Sequence, residues 1–389
     1  MFKVRTYNAI SPLGLTRFPK EAYEVGPELE QPDALILRSQ KLHDEVLSPS
    51  VLAVGRAGAG VNNIPVSSYT EKGVVVFNTP GANANAVKEL IAASLFLSSR
   101  DIFGGMSFVQ TLGAMTDGAE MSKLLEKEKK RFAGSELYGK TLGVVGLGAI
   151  GSMVANMALE LGMQVVGYDP AISVEAAWRL SRRVEKIDNL TTLLSRSDFI
   201  TLHVPAIEAT RHLVNSESLK NFKKGAKLLN FAREEIVDTQ AVLDALASGE
   251  LGGYTTDFPT PELIDKKGVL LMPHIGASTK EAEENCAVMA ADQLMDFLEN
   301  GNIKNSVNFP PTAMARNGGF RITFSNNNVP KVLSNVLSIL SDSNNNVIDL
   351  VNKSRDSIAY NIIDVEQQPS ADTLAKISAT EGVIRVRSL

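Results

Sequence analysis

The sequence predicts an α/β protein with two parallel-sheet modules and a small α+β module after them. Short apolar runs alternate with segments of helix length as far as residue 300, which is typical of parallel sheets built from βαβ units. A glycine-rich turn with the spacing G-x-G-x-x-G starts at Gly146, between a predicted strand and a predicted helix. From residue 317 onward, the order of predicted elements changes to β-α-β-β-α-β.

The first module is predicted from three apolar runs. They are ALIL (34–37), VLAVG (51–55) and VVVFN (74–78), and a long helix follows from Ala84 to Arg100. Segments of helix length separate the runs, so they predict a parallel sheet with crossover helices.

The second module begins with TLGVVG and contains six predicted strands. These lie near 141–146, 164–168, 198–204, 226–231, 253–257 and 269–273. A helix from Lys280 to Asn300 closes the module. NFPP (308–311) has the composition of a linker.

The third module spans 317–389. FRITFS predicts a strand, VPKVLSNVLSIL a helix with Pro330 near its first turn, and VIDLVN and IAYNIIDV two further strands. The helix SADTLAKISAT and the strand GVIRVRS follow. This order is that of the ferredoxin-like arrangement.

The composition is that of an ordinary globular protein with two or three domains. Of the 389 residues, 44% are apolar and 21% are charged, and the net charge is -5. A protein that binds nucleic acid or a membrane surface would carry a basic excess, so we expect neither partner. The single cysteine, Cys286, excludes an intrachain disulfide and lies in a helical pattern where a packed side chain is expected. With no signal peptide and no apolar segment of 18 residues, we expect a cytoplasmic protein.

The glycine-rich turn predicts a dinucleotide site. Gly146 permits a tight turn, Gly148 lets the backbone approach a pyrophosphate, and Gly151 lets the helix pack closely on the strand. The next strand ends at Asp169, 18 residues after Gly151, where a carboxylate accepts hydrogen bonds from ribose hydroxyls and repels a 2′-phosphate. No basic residue follows at once, so the sequence favours NAD over NADP.

Charged side chains follow the later strands at the edge where such sheets bind ligands. Arg233 and Asp257 end two neighbouring strands, His274 follows the last strand, and Glu262 lies in the loop before it. An arginine fork binds a carboxylate, and a histidine can transfer a proton. A nearby carboxylate favours the protonated histidine. Hydride transfer to a 2-oxo acid requires such a set.

Several motifs resemble the D-2-hydroxyacid dehydrogenases. They are GLGAIG with YDP, FAREEIVD, DFPTPE and PHIGAST. VGRAGAGVNNIPV and FNTPGANANAVKEL resemble those members that oxidise 3-phospho-D-glycerate. The resemblance runs from Arg38 to Leu389 and implies that Arg233, Glu262 and His274 are catalytic. It also implies NAD-dependent oxidation of 3-phospho-D-glycerate to 3-phosphohydroxypyruvate, the first step of phosphorylated L-serine biosynthesis.

The resemblance implies three domains and a set of contacts. A flavodoxin-like substrate-binding domain comprises 1–98 and 285–311, a Rossmann NAD-binding domain 99–284, and a regulatory or oligomerising domain 317–389. The NAD contacts expected beside Gly146, Gly148, Gly151 and Asp169 are Thr79, Ala149, Ile150, Val204, Phe231, Ala232, Asp257, Gly276 and Ala277. The substrate contacts expected beside Arg233 and His274 are Ala57 and Gly58, with Arg38 and Arg56 placed for a phosphate. No metal is expected. The alternative for Arg38 and Arg56 is that they are ordinary surface arginines without a role in binding.

The sequence departs from the family pattern around the active site. Glu234 and Glu235 follow the arginine where the family usually has glycine, so they should point away from an anion. The usual Asp-Asn of the early loop is Asn62-Asn63, and Phe231 stands where a small residue or cysteine is common.

The tail resembles an ACT domain, a small effector-binding fold that often pairs its sheets between subunits. Asn326, Asn328 and Asn346 stand where relatives bind an amino acid, so L-serine is a possible effector. Asn replaces the usual histidine at 326, and Lys331 replaces the glycine after Pro330. A purely oligomerising tail is the alternative, and we expect a homodimer or homotetramer.

Two other functions stay open from the sequence. One is a D-2-hydroxyacid dehydrogenase acting on an unphosphorylated or longer acid, of the glycerate/hydroxypyruvate or 2-hydroxyglutarate type. The other is a non-enzymatic NADH-sensing adaptor, which the intact Arg–Glu–His set and the ACT-like tail disfavour.

Overall fold

A computed structural model describes residues 1–389. The chain divides into two compact units, one formed by Met1–Asn83 with Lys280–Leu389 and the other by Ala84–Thr279. Each unit has its own parallel sheet, and the first unit carries a second, antiparallel sheet. The α/β fold class predicted from the sequence is confirmed.

The elements follow in chain order. The strands are β1 Phe2–Thr6, β2 Tyr23–Gly26, β3 Ala34–Leu37, β4 Ala53–Arg56, β5 Val75–Phe77, β6 Thr141–Val145, β7 Gln164–Tyr168, β8 Glu185–Lys186, β9 Phe199–Leu202, β10 Ala226–Asn230, β11 Leu251–Thr256, β12 Val269–Leu271, β13 Phe320–Asn327, β14 Val347–Arg355, β15 Ile358–Val365 and β16 Val383–Ser388. The α-helices are α1 Pro12–Leu15, α2 Val66–Glu71, α3 Ala84–Ser99, α4 Ile102–Gln110, α5 Gly118–Glu128, α6 Ala149–Glu160, α7 Val174–Arg179, α8 Leu190–Arg196, α9 Ser216–Leu219, α10 Thr239–Ser248, α11 Lys280–Asn300, α12 Val332–Asp342 and α13 Ala371–Ser378. Short 3₁₀ helices span Lys129–Phe132, Glu208–Thr210, Glu234–Ile236 and Pro261–Leu263.

The first unit is built on a parallel sheet in the order β2-β1-β3-β4-β5. This is the flavodoxin-like strand order expected from the resemblance. The sequence analysis did not predict β1 and β2. In β1 only Val4 is buried and two of its five residues are basic, so no apolar run indicates a strand there.

The second unit is built on a seven-stranded parallel sheet in the order β12-β11-β10-β9-β6-β7-β8. The direction of strand addition reverses between β6 and β9, which is where doubly wound sheets bind their ligands. All six predicted strands are present. The two-residue β8 was missed, because two exposed charged residues carry no strand signal.

The antiparallel sheet of the tail has the order β14-β15-β13-β16. With α12 and α13 between its strands it has the ferredoxin-like connectivity predicted from the sequence. The apolar sides of these helices cover the sheet through Val332, Val336, Leu340 and Ile377.

The unit boundaries differ from the predicted 98/99 and 284/285. Helix α3 belongs to the second unit, because its Val87, Ile91 and Leu95 pack in one core with residues of β6 and α6. Helix α11 belongs to the first unit from its first residue, Lys280 onward. Its alanine- and leucine-rich face packs against α1 and β4.

The segment 308–311 is not an exposed linker. Phe309 is fully buried, and the Asn308 side chain completes the edge of the first sheet. Its Oδ1 accepts from the backbone N–H of Val76 at 2.9 Å, and its Nδ2 donates to the carbonyl of Val74 at 2.9 Å. The prediction was wrong because composition alone cannot show that an Asn-Phe-Pro-Pro run covers an edge strand.

The tail shares a core with the rest of the first unit. Ile358, Tyr360 and Ile362 of β15 pack in one cluster with Phe297 and Phe309. The tyrosine hydroxyl also donates to the carbonyl of Gly301 at 2.8 Å. Residues 317–389 therefore have their own sheet and their own core under α12 and α13, and they also pack into the core of the first unit.

Arginines from the tail region bind the C-terminus of α11. The last four carbonyl groups of a helix have no partner within the helix, and the negative end of its dipole attracts cations. In α11 all four carbonyls accept from guanidinium groups: Phe297 (3.2 Å) and Leu298 (2.8 Å) from Arg387, Glu299 (2.9 Å) from Arg316, and Asn300 (2.9 Å) from Arg321.

Arg321 is the most enclosed of these arginines. Its side chain is fully buried and forms two bonds of 2.7 Å to the carboxylate of Asp364. Its other donors reach the carbonyls of Met314 and Ala315, both at 2.9 Å. The buried charge is thus paired, and its hydrogen-bonding capacity is used.

We expect Arg387→Ala to lower the free energy of unfolding by about 1.5–3 kcal/mol, because it leaves the buried carbonyl of Leu298 without a donor and leaves that of Phe297 only the N–H of Gly301. Urea denaturation measures the change. Arg316→Ala is the matched control: its exposed side chain binds one carbonyl, so the loss should stay below about 1 kcal/mol. Equal losses in the two variants would contradict the assignment of this capping contact.

We expect Lys331→Gly to stabilise the protein by roughly 0.4–1 kcal/mol. Lys331 has φ 75° just before α12, a backbone conformation that glycine adopts without strain. Thermal unfolding of Lys331→Gly beside Lys331→Ala tests this. The alanine variant keeps the strain and should show no gain, whereas equal melting temperatures for both variants would refute the strain argument.

Candidate active site

The glycine-rich turn joins β6 to α6 as the sequence predicts. Gly146 has φ 89°, and a Cβ placed on it would lie 2.6 Å from the carbonyl oxygen of His203. A Cβ on Gly151 would lie 1.9 Å from the carbonyl oxygen of Gly146. The turn and the close packing therefore require glycine at both positions.

Gly148 is different, because a Cβ placed there would meet no atom within 4 Å. It is the N-cap of α6, and no side chain caps the first turn of that helix. Unbonded N–H groups at a helix N-terminus beside open space are typical of sites that bind an anionic group such as a pyrophosphate.

Asp169 is held in place beside this turn. Its Oδ2 accepts from the backbone N–H of Leu147 at 2.8 Å, and its Oδ1 accepts from that of Ala171 at 2.9 Å. Each carboxylate oxygen can accept more than one hydrogen bond, so both retain capacity for the hydroxyl groups of a ligand.

The end of β10 presents Arg233. Asn230 organises the turn: its Oδ1 accepts from Ala232 N at 3.1 Å and its Nδ2 donates to Arg233 O at 2.9 Å. Phe231 is buried in the core, while Arg233 is exposed and its Nη1 donates to the carbonyl of Ala232 at 2.6 Å. The exposed guanidinium has no carboxylate partner within the protein.

Asp257, at the end of β11, is a buried carboxylate with one free oxygen. Its side chain is 2% exposed; Oδ2 accepts from Gly276 N at 3.0 Å, and Oδ1 has no partner. Burial raises the pKa of Asp257, while the Gly276 N–H and the positive charges of His274 and Arg233 oppose the rise. A buried acceptor without a donor indicates a place for a ligand donor.

His274 follows β12 in a strained conformation. Its φ is 49°, and its backbone N–H donates to the carbonyl of Asp257 at 2.9 Å. The exposed ring lies 4.9 Å from the ring of Phe258, centroid to centroid. A left-handed backbone at a histidine is uncommon and is often found at functional sites.

Glu262 lies on the 3₁₀ turn Pro261–Leu263 and is exposed. A hydrogen bond from its own backbone N–H is the main cause that lowers the pKa of its carboxylate. No ion pair joins Glu262 to His274. The structure thus brings Arg233, Asp257 and His274 to one edge of the sheet, without an ion pair between Glu262 and the histidine.

The substrate residues predicted in the early loop lie in the first unit. Arg38 and Arg56 stand at the carboxyl ends of β3 and β4, and a Cβ on Gly58 would lie 1.5 Å from Nη1 of Arg56. The guanidinium therefore covers Gly58. Thr79 is fully buried, and its backbone N–H donates to the carbonyl of Gly58 at 3.0 Å.

The remaining predicted contact residues flank these points. Ala57 is buried, Ala149 begins α6, Gly276 is buried beside Asp257, Ala277 is half-buried, and Ile150 and Val204 pack partly into the second unit's cores. Glu234 and Glu235 are exposed on a 3₁₀ turn. These placements do not test their roles, which stay predictions.

Sequence reasoning missed His203, which follows β9 at the point where strand order reverses. Its Nε2 lies 2.9 Å from Oγ1 of Thr201, and burial lowers its pKa to about 3. Its backbone and Cβ pack against Gly146 and Gly151. The signal that could have identified His203 was its position at the end of the predicted strand 198–204. At that strand end, only Val204 was predicted as a contact residue.

The three asparagines proposed for an effector all have partners within the tail. Asn326 is buried and accepts from Nδ2 of Asn361 at 2.8 Å. Asn328 donates to the carbonyl of Asp356 at 3.1 Å, and Asn346 donates to Glu366 at 3.0 Å. An L-serine site and the homo-oligomeric state both stay predictions.

Two structural searches gave negative findings. No helix is both long and apolar enough to cross a membrane. No group of three or more histidine, cysteine, aspartate or glutamate side chains is arranged to hold a metal ion.

Comparison with a family model matches residues 106–276 to the D-isomer specific 2-hydroxyacid dehydrogenase, NAD binding domain. This range contains the glycine-rich turn, Asp169, Arg233 and His274. The open space at Gly148 and the unpaired carboxylate oxygen of Asp257 fit NAD, the cofactor of that domain.

Several curated proteins similar to this chain are named D-3-phosphoglycerate dehydrogenase. D-3-phosphoglycerate dehydrogenase of Haemophilus influenzae is 32% identical over 88% of this chain and 82% of its own length. That of Methanocaldococcus jannaschii is 34% identical over 84% of this chain but 61% of its own length, and that of Synechocystis is matched over 50%. The chain thus spans only a half to three-fifths of the length of the latter two.

A solved structure of a protein with the same enzyme name is also similar to this chain. The NAD+-bound 3-phosphoglycerate dehydrogenase of Entamoeba histolytica is 27% identical, with a TM-score of 0.61 over 79% of this chain and 98% of that one. The predicted cofactor, NAD, and the predicted family are confirmed. The chain belongs to the D-isomer-specific 2-hydroxyacid dehydrogenase family.

Proposed function

We propose that this protein oxidises 3-phospho-D-glycerate to 3-phosphohydroxypyruvate with NAD, the first step of phosphorylated L-serine biosynthesis. The observation that carries the proposal is the group at the ends of β10, β11 and β12. There, Arg233 and His274 follow strands beside the one that ends at the buried carboxylate of Asp257, and the His274 N–H donates to the Asp257 carbonyl at 2.9 Å, in a unit that matches an NAD-binding domain. The names of the relatives support the phosphorylated substrate.

NAD would be held by groups at the ends of β6, β7 and β11. The N–H groups at the start of α6 would bind the pyrophosphate beside Gly148, and Asp169 would accept from the ribose hydroxyls. Oδ1 of Asp257 would accept from the amide group of the nicotinamide, which would supply the missing donor. When bound, NAD supplies the hydride acceptor.

Arg233 would orient the substrate. Its guanidinium presents parallel N–H donors to the carboxylate, and it polarises the neighbouring oxygen on C2. The exposed side chain needs to give up only its bond to the carbonyl of Ala232. Bidentate contact with a planar carboxylate fixes the position of the C2–H bond that breaks.

His274 would accept the proton from the C2 hydroxyl during oxidation and return it during reduction. Its strained backbone is held by the bond to Asp257, so the ring position is fixed by the buried end of β11. Glu262 would stabilise the protonated ring of His274 once the glutamate side chain turns toward that ring. Its carboxylate forms no competing ion pair, which supports this role.

Arg38 and Arg56 would bind the phosphate. They follow neighbouring parallel strands whose register places Leu37 beside Arg56, so both guanidiniums stand at one edge of the first sheet. A phosphate monoester carries about -1.5 to -2 charges near pH 7 and accepts several charged hydrogen bonds.

The second candidate is reduction of an unphosphorylated 2-oxo acid. One observation favours it: Arg38 already has a carboxylate partner, Glu283, at 2.6 Å. Nothing observed favours the NADH-sensing adaptor over an enzyme.

A substrate panel followed by NADH absorbance tests the proposal. We expect kcat/KM for 3-phosphohydroxypyruvate to exceed that for hydroxypyruvate and 2-oxoglutarate by about tenfold or more, since a charged hydrogen bond contributes about 1.5–3 kcal/mol. His274→Ala should retain NADH binding and lose about 100-fold or more in turnover. A preference for hydroxypyruvate selects the second candidate, and NADH binding without turnover of any 2-oxo acid selects the adaptor.

We expect Asp257→Asn to weaken NADH binding while raising the melting temperature at neutral pH. Because burial raises the pKa of Asp257, its stabilising contribution is present at low pH and is lost as pH rises through the folded-state pKa. The variant does not titrate, so its advantage should be small near pH 4 and grow toward pH 7.5.

Two measurements check this trade between stability and binding. Thermal unfolding across that pH range gives the stability difference, and NADH fluorescence titration gives the affinity. A variant less stable than the wild type at pH 7.5, or one with unchanged NADH affinity, would show that the free oxygen is not reserved for the cofactor.

A further inference from the structure

Arg38 forms an ion pair that the sequence did not indicate. Its Nη1 lies 2.6 Å from Oε1 of Glu283, in the first turns of α11. The two side chains are 39% and 45% exposed, so a solute can reach the pair. An exposed pair of this kind contributes little to stability, and an incoming anion can replace the carboxylate.

The position of Arg38 is fixed independently of Glu283. Nδ2 of Asn63 donates to the carbonyls of Arg38 at 3.3 Å and Gln40 at 2.7 Å. These bonds hold the backbone from which the guanidinium extends. Loss of the Glu283 charge therefore leaves the arginine at the same edge of the sheet.

Arg56 and Glu283 lie near the same buried atom as Arg38. Burial raises the pKa of the Cys286 thiol, the charges of Arg56 and Arg38 lower it, and the charge of Glu283 raises it further. The strand register agrees with this, because it pairs Leu37 with Arg56 and so places Arg56 beside the chain that carries the Arg38–Glu283 pair.

The net charge of this cluster is smaller than a phosphate requires. Two arginines and one glutamate sum to a single positive charge, whereas a phosphate monoester carries about -1.5 to -2 near pH 7. An unphosphorylated hydroxy acid places no such charge beside these residues. Glu283 therefore acts against the phosphorylated substrate more than against its unphosphorylated analogue.

We propose that Glu283 is the counter-charge of the phosphate-binding arginines and sets how strongly the enzyme prefers a phosphorylated over an unphosphorylated 2-hydroxy acid. This rests on the proposed function, in which Arg38 and Arg56 bind the phosphate. Arg38 exchanges its carboxylate partner for phosphate oxygens when the substrate binds. The remaining negative charge of Glu283 then repels the phosphate and limits its affinity.

Glu283→Gln tests the counter-charge, because glutamine keeps the length and an oxygen acceptor for Arg38 but removes the charge. We expect the ratio of kcat/KM for 3-phosphohydroxypyruvate to that for hydroxypyruvate to rise about two- to tenfold at low ionic strength. The increase should shrink with added salt. If Glu283 instead serves to orient Arg38, Glu283→Ala will lower the ratio, which overturns the proposal.

Glu281→Gln is the matched control, because it removes one exposed negative charge from the same turn of α11 and forms no ion pair. For this variant, the ratio of kcat/KM for 3-phosphohydroxypyruvate to that for hydroxypyruvate should stay within about twofold of the wild-type ratio. An equal rise in both variants would mean that the helix N-terminus responds to any charge, which overturns a specific role for Glu283.

Calorimetric titration with inorganic phosphate gives a readout without turnover. Glu283→Gln should bind phosphate more tightly than the wild type, and Arg38→Ala more weakly. If the wild type reduces hydroxypyruvate but not 3-phosphohydroxypyruvate, the proposed function fails. If the wild type prefers the phosphorylated substrate and Glu283→Gln leaves both the ratio and phosphate binding unchanged, only the counter-charge proposal fails.

Discussion

The hydrogen bonds between arginine side chains and the C-terminus of α11 are the constraint on which the first unit depends. Three carbonyls at the negative end of a long helix would otherwise be left without donors, and the fourth, that of Phe297, would keep only the N–H of Gly301. Two of the three arginines belong to strands of the tail sheet, and Arg321 is also paired with Asp364 in the interior. The tail is thereby an integral part of the first unit: it completes a helix whose other end carries Glu283 beside Arg38.

In the second unit, the corresponding constraint is the buried carboxylate of Asp257. Parallel strands end at one edge, so residues distant in sequence present their side chains together. The carboxylate binds the N–H of Gly276, and its backbone carbonyl binds the N–H of His274, which fixes the loop after β12 in a strained conformation. A destabilised charge and a strained histidine at one strand edge are features that cluster at functional sites more often than in a packed core.

Much of the fold could be predicted because it depends on local signals. Helix α11 begins and ends at the residues predicted, and the strands of the second unit follow from apolar runs of the expected length. Gly146 and Gly151 were interpretable because a tight turn and close packing each exclude a Cβ. Predictions failed where local signals are weak, as at β1 and β8. They also failed where a segment with the composition of a linker covers the edge of a sheet, as at Asn308.

The sequence by itself determined the strand and helix order, the dinucleotide turn and the strand-end positions of Arg233, Asp257 and His274, since each is encoded within a few neighbouring residues. Only the tertiary structure decided which distant side chains meet. It brought Glu283 to Arg38 and formed no ion pair between Glu262 and His274. It also joined Arg387 to the end of α11. Such contacts depend on how separately folded segments pack, and side chains of the same type and spacing are compatible with many packings.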